Sequence, residues 1–556
     1  MAETITKPNR FLHIHPSDNV LVALQDLEAN SQVRFLNTSF TLKNDVPAKH
    51  KFSTLAFNPG DKIYMYGVLV GEAITAIPQG ELISLKNIKH ASKDFDLGER
   101  KLFWEKPDVE RWQDKTFMGY HREDGSVGTA NYWIVIPLVF CENRNVEVLK
   151  EAFINKLGYG VPQIYEQNVE QILSMYRNGK TLDDILNTEL TDHPVEVNDT
   201  RVFPNVDGIK FLTHDLGCGC TRLDSDALCG LLAGYITHPN VAGATVLSLG
   251  CQHSQASILQ NEISKRDPGF KKPLIILEQQ AEGTEKKLLQ KAIKLTFNGL
   301  VRANKILRKP APLSKLCIGL ECGGSDGFSG ISANPALGFV SDCFVALGSS
   351  VILSEFPELC GVEQELCDRC VDEPTAKKFM DLMRIYNAKA EADGSGFYAN
   401  PSPGNIKDGL ITDAIKSAGA AKKGGTSPIV AVLDYPNKVS RAGLNLLCTP
   451  GNDVESTTAE VAAGANVVLF TTGLGTPTGN PIAPVIKLST STMLYNRMPD
   501  IIDIDCGTII AASETIEEVG ERIIDFVIKV ASGEVQAKSS ILQQNDFIPW
   551  RRGVSL

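Results

Sequence analysis

Residues 315–338 read KLCIGLECGGSDGFSGISANPALG. The first seven residues form a short apolar run of strand type. The remainder cannot continue as a regular element, because glycine loses conformational freedom in helix and strand alike, and glycines recur through the rest of the stretch. The pattern is a buried strand that breaks into a turn of bare backbone and small polar side chains. In parallel α/β sheets, ligands sit at such turns on the carboxyl ends of strands.

The same pattern recurs along the chain. YWIVIPLVF (132–140), IKFLTH (209–214), ATVLSLG (244–250) and PLIILE (273–278) are apolar runs of strand length. VEVLKEAFINKL (146–157) and the long 280–307 stretch carry helical spacing. PIVAVLDY (428–435), NVVLFTTG (466–473) and DIIDID (500–505) repeat the strand-to-turn pattern after residue 312. Strands alternating with helices predict largely parallel sheets. Residues 11–90 differ: FLHIH, VRFLN, KIYMYGVLVG and ELISL alternate between turns such as Pro59-Gly60-Asp61 and Pro78-Gln79-Gly80, which predicts a small all-β domain. The expected fold is therefore α/β, with an all-β domain at 1–95, a charge-rich linker at 96–115, and two α/β domains at 116–308 and 309–556.

The bulk composition narrows the function class. The 556 residues are 43% hydrophobic and 22% charged, with a formal net charge of −11. An acidic chain argues against a general nucleic-acid or anionic-membrane surface. The first ten residues, MAETITKPNR, are polar and no signal-type apolar core comes after them, so a cytoplasmic protein is expected. No apolar run reaches the length of a membrane span. Thirteen cysteines in such a chain suggest a reducing compartment, with thiols free, buried or bound to metal. Cys218-x-Cys220 and Cys367-x-x-Cys370 have metal-ligand spacing but no matching second pair, and burial of a small apolar thiol is the alternative for most of the thirteen.

Four junctions carry chemistry-bearing residues: FLTHDLGCGC with His214 and Cys218, LSLGCQHSQ with Cys251, the opening stretch with Cys322, Ser325 and Asp326, and NVVLFTTGLGTPTGNP with Thr472 and Thr476. Each alone reads more readily as a plain turn; together they suggest a shared site lined by backbone N–H groups. None fits a P-loop or a Rossmann fingerprint. NPSPGNIKDGL (400–410), with Asn405, and CTPGNDVEST (448–457), with Asn452 and Asp453, are polar turns suited to a hydroxyl-rich ligand or simply to solvent. Near the start, His13 and His15 alternate on a strand and His50 lies further on, a spacing compatible with a divalent metal or with surface histidines.

At this point the chain resembles the altronate and galactarate dehydratase family along nearly its whole length. FMGYHREDGSVGTANYW, FLTHDLGCG, LSLGCQHSQ, GLECGGSDGFSGISANPALG, LSEFPELCGVE, NPSPGNIKDGL, TPGNDVES and TTGLGTPTGNPIAPVIK match the family's motifs in order. HPSDNV, His50-Lys51 and Tyr66-Gly67 resemble its N-terminal SAF-type (β-clip-like) domain. The resemblance implies a hydro-lyase that takes a sugar acid, altronate or a related aldonate or aldarate, to a 2-keto-3-deoxy acid. It also implies Fe2+, with Mn2+ or another divalent cation as substitute. The chemistry needs a base for the proton alpha to the carboxylate, an acid for the C3 hydroxyl, and fixed charge for the enediolate between them.

On the matched positions, His15, His50, His214 and Asp326 are the expected catalytic groups. His13, His15, His50, Cys218, Cys251 and Cys322 are the expected metal ligands, packing being the alternative for the cysteines. Arg122 is expected on a carboxylate, supported by Tyr120, Asn131 and Tyr132. Ser325, Asn334, Asn405, Asn452, Asp453, Thr472 and Thr476 are expected on substrate. A homo-oligomer is expected. The sequence departs from the family pattern at Ala130 and Leu474, where the motifs carry arginine, and at Ser84-Leu85-Lys86-Asn87, where the SAF-type domain carries histidines. Those departures leave two alternatives: a related lyase such as a sulfolactate sulfo-lyase, or a sugar-acid binding protein without catalysis. The loss of arginines favours one substrate carboxylate over two.

Overall fold

The opening stretch supplies the central strand of the largest sheet. In the computed structural model, which describes residues 10–160, 164–190 and 201–556, strand Cys317–Cys322 pairs in parallel with Ser350–Leu353 on one side and Val467–Thr472 on the other. Gly443–Leu447 and Ile429–Leu433 extend the first side, and Val485–Ser489 and Ile504–Asp505 the second, giving seven parallel strands. The chain starts in the middle, builds one wing and then crosses to the other. The central strand's carboxyl end is therefore a topological switch point, where the connections diverge and leave a crevice. From Ile318 onward the strand is buried on both faces, which explains the continuous apolar run rather than an alternating one.

The second domain repeats this logic on a smaller scale. Tyr132–Pro137 lies between Gly208–Phe211 and Val241–Ser248, with Leu274–Glu278 outside, all parallel. Again the first strand is central and its neighbours come from opposite directions. An antiparallel ribbon of Val127–Gly128, Thr116–His121 and Arg308–Pro312 closes the start and end of this domain. The N-terminal domain consists of short antiparallel strands, including the hairpin Lys62–Met65 and Val68–Ala73.

Local departures from the sequence reading have simple causes. FLHIH is strand only at Phe11–Leu12, because the carboxylate of Asp18 draws the next residues into a turn by accepting from the amides of His15, Tyr66 and Gly67. ELISL contributes one isolated bridge, Phe52 to Leu82, and DIIDID pairs only through Ile504–Asp505. Strands Ser350–Leu353, Gly443–Leu447 and Val485–Ser489 are too short for their apolar runs to stand out. The charge-rich 96–115 segment holds a one-turn helix, Glu110–Gln113. The polar 1–9 stretch lies outside the described residues.

The domains share cores. Val22, Met65 and Tyr66 of the β domain join one cluster with Phe328, Leu320 and Leu353 of the C-terminal sheet. Ile134 and Leu228 of the second domain join another with Val468 and Phe470. No helix among the described residues is long and apolar enough to cross a membrane. Within the second domain, Trp133 is fully buried and donates to the Thr245 hydroxyl at 3.1 Å. A Cβ on Gly299 of the covering helix would lie 2.0 Å from its ring. Gly299→Ala gains about 1 kcal/mol of helix propensity but forces this contact apart at about 1–3 kcal/mol, so net destabilisation is expected in urea unfolding.

Candidate active site

The carboxyl end of the central strand opens into a buried cluster of charge. Cys322, the last strand residue, donates its thiol to Glu358 Oε2 at 3.1 Å and accepts from Lys423 Nζ at 2.9 Å. Lys423 also bonds Glu355 Oε2 at 2.6 Å, and Lys416 bonds Glu358 Oε1 at 2.7 Å. Glu321, on the same strand end, and Glu460, against Gly319, are fully buried, and Asp453 lies half-buried against Gly323. Gly323 leaves the space for Asp453, since a Cβ there would meet Asp453 Oδ2 at 2.0 Å. Glu355 holds left-handed backbone at φ 61°, a conformation that costs energy for a side chain with Cβ and that collects at functional sites.

Five carboxyl groups and two ammonium groups share this interior, so the acids cannot all ionise against the lysines alone. Burial, with Glu355 and Glu460 adding like charge, drives Glu321 well above the ordinary carboxylate range. Burial and then Glu358 push Glu355 up to about 7, and the same two causes push Asp453 up to about 6. Burial works on Glu358 in the same direction, but Lys416 and Lys423 hold it below its ordinary value. Burial, reinforced by Glu355 and Glu358, raises the Cys322 thiol well above 9 against the pull of Lys423, so it stays protonated. Among the described residues, Glu355 Oε1, Glu321 Oε2 and Glu460 Oε2 are buried without a hydrogen-bond partner.

The donors of Cys322, Glu355 and Glu358 lie within 4.8 Å of one another, and one thiol with two carboxylates suits a borderline divalent ion such as Fe2+. The unpartnered Glu355 oxygen and the surplus of acid fit such a cation. A second group of this kind, His90, Cys360 and Asp413, lies where the β domain meets the C-terminal domain.

The β domain adds the other wall. Lys49 Nζ bonds Asp326 at 2.9 Å and Asp408 at 3.2 Å. Burial alone would lower Lys49, but these carboxylates outweigh it and raise it. Lys51 is fully buried, bonds the carbonyls of Lys49 and Gly409 at 2.9 and 2.7 Å, and is brought down to about 7 by burial, with Asp326 opposing. Asp326 also accepts from Thr490 Oγ1 at 3.1 Å. Gly473 packs on Asp326, and Thr472, Leu474 and Thr476 pack on Gly324.

The expected residues divide clearly. Ser325, Asp326, Asn405, Asp453, Thr472, Thr476 and Cys322 converge here. Asn405 donates to the Ser325 carbonyl at 2.7 Å, and the Ser325 hydroxyl is buried with no partner among the described residues. Asn452 caps the helix Asp453–Ala463 and so orients Asp453. Asn334 braces from behind, bonding Gly419 O and Thr471 Oγ1 at 3.0 and 2.7 Å. His50 donates to the Lys407 carbonyl at 3.0 Å and is held neutral chiefly by burial, so it docks the β domain beside the site. His15 lies against Gly67 and bonds Ser17, while His13 meets Phe35 edge-on; neither belongs to the Cys322, Glu355 and Glu358 group.

The second-domain candidates are elsewhere. Arg122 is buried and commits its donors to Pro239 O, Ala130 O and Asn131 Oδ1. Tyr120 is stacked by Arg308, and Asn131 bonds the Asn205 carbonyl. Tyr132 lies under Lys210. His214 has both ring nitrogens engaged, with Pro137 O at 2.9 Å and the Leu216 amide at 3.1 Å, and burial brings it down to about 4. Cys218 and Cys251 are exposed at the other sheet's carboxyl edge, whereas Cys322 is buried. A cleft of about 740 Å3 lined by Lys150, Arg201 and Lys210 also belongs to that side. The sequence reading missed Glu355, Glu358, Lys416, Lys423, Lys49 and Lys51. The first two lie inside the motif LSEFPELCGVE, but no spacing signals that they meet lysines some 60 residues away.

Three stretches match described families. Residues 9–91 match the altronate/galactarate dehydratase SAF domain, 119–304 the D-galactarate dehydratase/altronate hydrolase second domain, and 313–555 the D-galactarate/altronate dehydratase C-terminal domain. The chain is 32% identical over 538 residues to an altronate dehydratase of Bacillus subtilis (strain 168), covering 97% of both chains. It is 31% identical to an altronate dehydratase of Escherichia coli (strain K12), again over 97% of both. A galactarate dehydratase (L-threo-forming) of the same strain is 32% identical, over 94% of this chain and 93% of its own.

Two outcomes are expected from this geometry. Lys423→Met leaves Glu355 and its neighbours without their buried counter-charge and should destabilise the fold by about 3–5 kcal/mol in chemical unfolding. His214 binds a proton in the unfolded chain from about pH 6.5 but in the folded chain only near 4. Its contribution is thus complete above pH 6.5 and declines as the pH falls toward 4; His214→Gln should flatten that slope in pH-dependent unfolding curves.

Proposed function

The chain belongs to the altronate and galactarate dehydratase family and is a hydro-lyase of that kind; on that basis we propose that it dehydrates an aldonate of the altronate type at the Cys322 crevice. The observation that carries the reading is the placement of Cys322, Glu355, Glu358 and Asp453 around the end of the central strand, with Lys416 and Lys423 as fixed positive charge.

Asp453 serves as base. A carboxylate near 6 at the mouth of a dry crevice is basic enough to take the C2 proton and still ionised at neutral pH. Lys49, anchored on Asp326, presents positive charge from the β domain, and the Ser325 hydroxyl, which has no partner among the described residues, recognises a sugar hydroxyl, while Asn405 holds the Ser325 carbonyl in place. Lys51, near 7, is suited to return a proton to the departing C3 hydroxyl. A divalent cation held by Cys322, Glu355 and Glu358 would polarise the substrate carboxylate and stabilise enediolate charge when bound. Leu474 stands against Gly324 where the family motif carries arginine, which removes a clamp for a second carboxylate and supports an aldonate over an aldarate.

The test is product formation. Reduced protein supplied with Fe2+ should form 2-keto-3-deoxy acid from altronate faster than from galactarate, and absence of product from every aldonate and aldarate would sink the proposal. Sulfite release from sulfolactate, or binding without turnover, would point to the two alternatives. Asp453→Asn should lower kcat by about 100-fold or more with KM little changed. In the wild type kcat/KM should fall as pH drops through about 6, where Asp453 takes up a proton. Leu474→Arg should shift relative kcat/KM toward galactarate.

A further inference from the structure

The second domain has a switch point of its own, and the proposed dehydration does not use it. Its central strand Tyr132–Pro137 leads to Cys141, the neighbour Gly208–Phe211 leads to Cys218, and the neighbour on the other side, Val241–Ser248, leads to Cys251. Three adjacent parallel strands thus each deliver one cysteine to the same edge of the sheet. All three are exposed, and they are the only exposed members of the thirteen; the rest are buried or half-buried. Cysteine is among the most buried residue types, so three exposed thiols on adjoining turns need a reason.

The turns are locked together. Phe140 N–H donates to Leu216 O at 3.0 Å, and the amides of His253 and Ser254 donate to Gly217 O at 3.0 and 3.3 Å. Asn143 bridges to the His214 carbonyl at 3.0 Å, and His214 in turn caps Pro137. Gly217 has φ of 101°, and a Cβ there would meet Leu138 O at 2.2 Å, so the turn sits directly on the central strand. The Cys141 thiol is raised first by partial burial and then by Cys218 and Cys251, which places both of them within electrostatic reach of Cys141.

The spacing favours one kind of occupant. A single ion with bonds of about 2.3 Å needs sulfurs within roughly 4 Å of each other. The three thiols are not among the groups whose donors all lie within 4.8 Å. A polynuclear centre spreads its cysteine attachments over several metal atoms and accepts wider spacing. We propose that Cys141, Cys218 and Cys251 hold an iron–sulfur cluster at the second domain's switch point. With three protein thiolates, one iron of a four-iron cluster would lack a cysteine ligand and be open to an oxygen ligand. The buried Cys220, beside Cys218, takes no part.

The test reads metal and sulfide rather than turnover, so its result is independent of the sugar-acid proposal. The full chain is reconstituted anaerobically with Fe2+, sulfide and a thiol reductant, then freed of unbound ions. Roughly four iron and four sulfide per chain, with the visible charge-transfer absorption of a cluster, are expected. Cys141→Ser, Cys218→Ser and Cys251→Ser should each lose half or more of both, while Cys322→Ser keeps them. Thermal melts check that these surface changes leave the fold intact. The proposal is overturned if the wild type binds iron without sulfide, if the three variants retain wild-type content, or if Cys322→Ser alone abolishes it.

Discussion

The ammonium group of Lys423 is the interaction on which the centre of this molecule rests. It sits fully buried between the Cys322 thiol and the Glu355 carboxylate, with Glu358 and Glu321 close enough to raise it further against the cost of burial. Without that positive charge, the interior would hold an unmatched set of acids in a dry environment, which proteins avoid by protonation or by pairing. With it, the cluster splits: Glu358 is held ionised, and Glu355, Glu321, Glu460 and Asp453 are pushed toward protonation. Acids of separated strength in one cavity are the raw material of proton-transfer chemistry.

The left-handed backbone at Glu355 belongs to the same set of constraints. It points a charged side chain back across the end of the central strand, where its amide donates to Thr449 Oγ1 at 2.8 Å and its carboxylate accepts from the Cys322 amide at 3.2 Å. A glycine would relax the backbone but remove the carboxylate. The β domain is held by a related device. Lys49 and Lys51 reach into the C-terminal domain to Asp326, Asp408 and the Gly409 carbonyl, while an apolar core shared through Tyr66 and Phe328 removes water from around those contacts. The N-terminal domain is thus part of the site's wall.

Much of this was legible in the chain. Apolar runs ending in glycine-rich turns identify the parallel sheets, and a polar turn after KLCIGLE marks the crevice because strand ends are where backbone N–H groups are free. That Ser325, Asp326, Asn405, Asp453, Thr472 and Thr476 lie together at one strand end was legible for that reason. Arg122 and His214 lie apart from the Cys322 group and bond buried main chain; a polar residue in a family motif serves equally to recognise substrate or to tie backbone, and their partners at Pro239 and Pro137 have no mark in the sequence. Lys416, Lys423, Glu355 and Glu358 were invisible individually, since a lysine on a helix and a glutamate in a loop look like solvent-facing charge until a fold buries them.

Hydrophobic period and glycine placement act over a few residues, so the chain alone carries the alternation of strands and helices, the small β domain in front, and the turns at which chemistry concentrates. Which of those turns share a crevice is settled by packing. The order in which strands join a sheet sets its switch points, and that order separates Cys322 from Cys218 and Cys251 while bringing Lys49 onto Asp326 across 277 residues of chain. Burial then sets the charge of each group, and burial is a property of the packed whole.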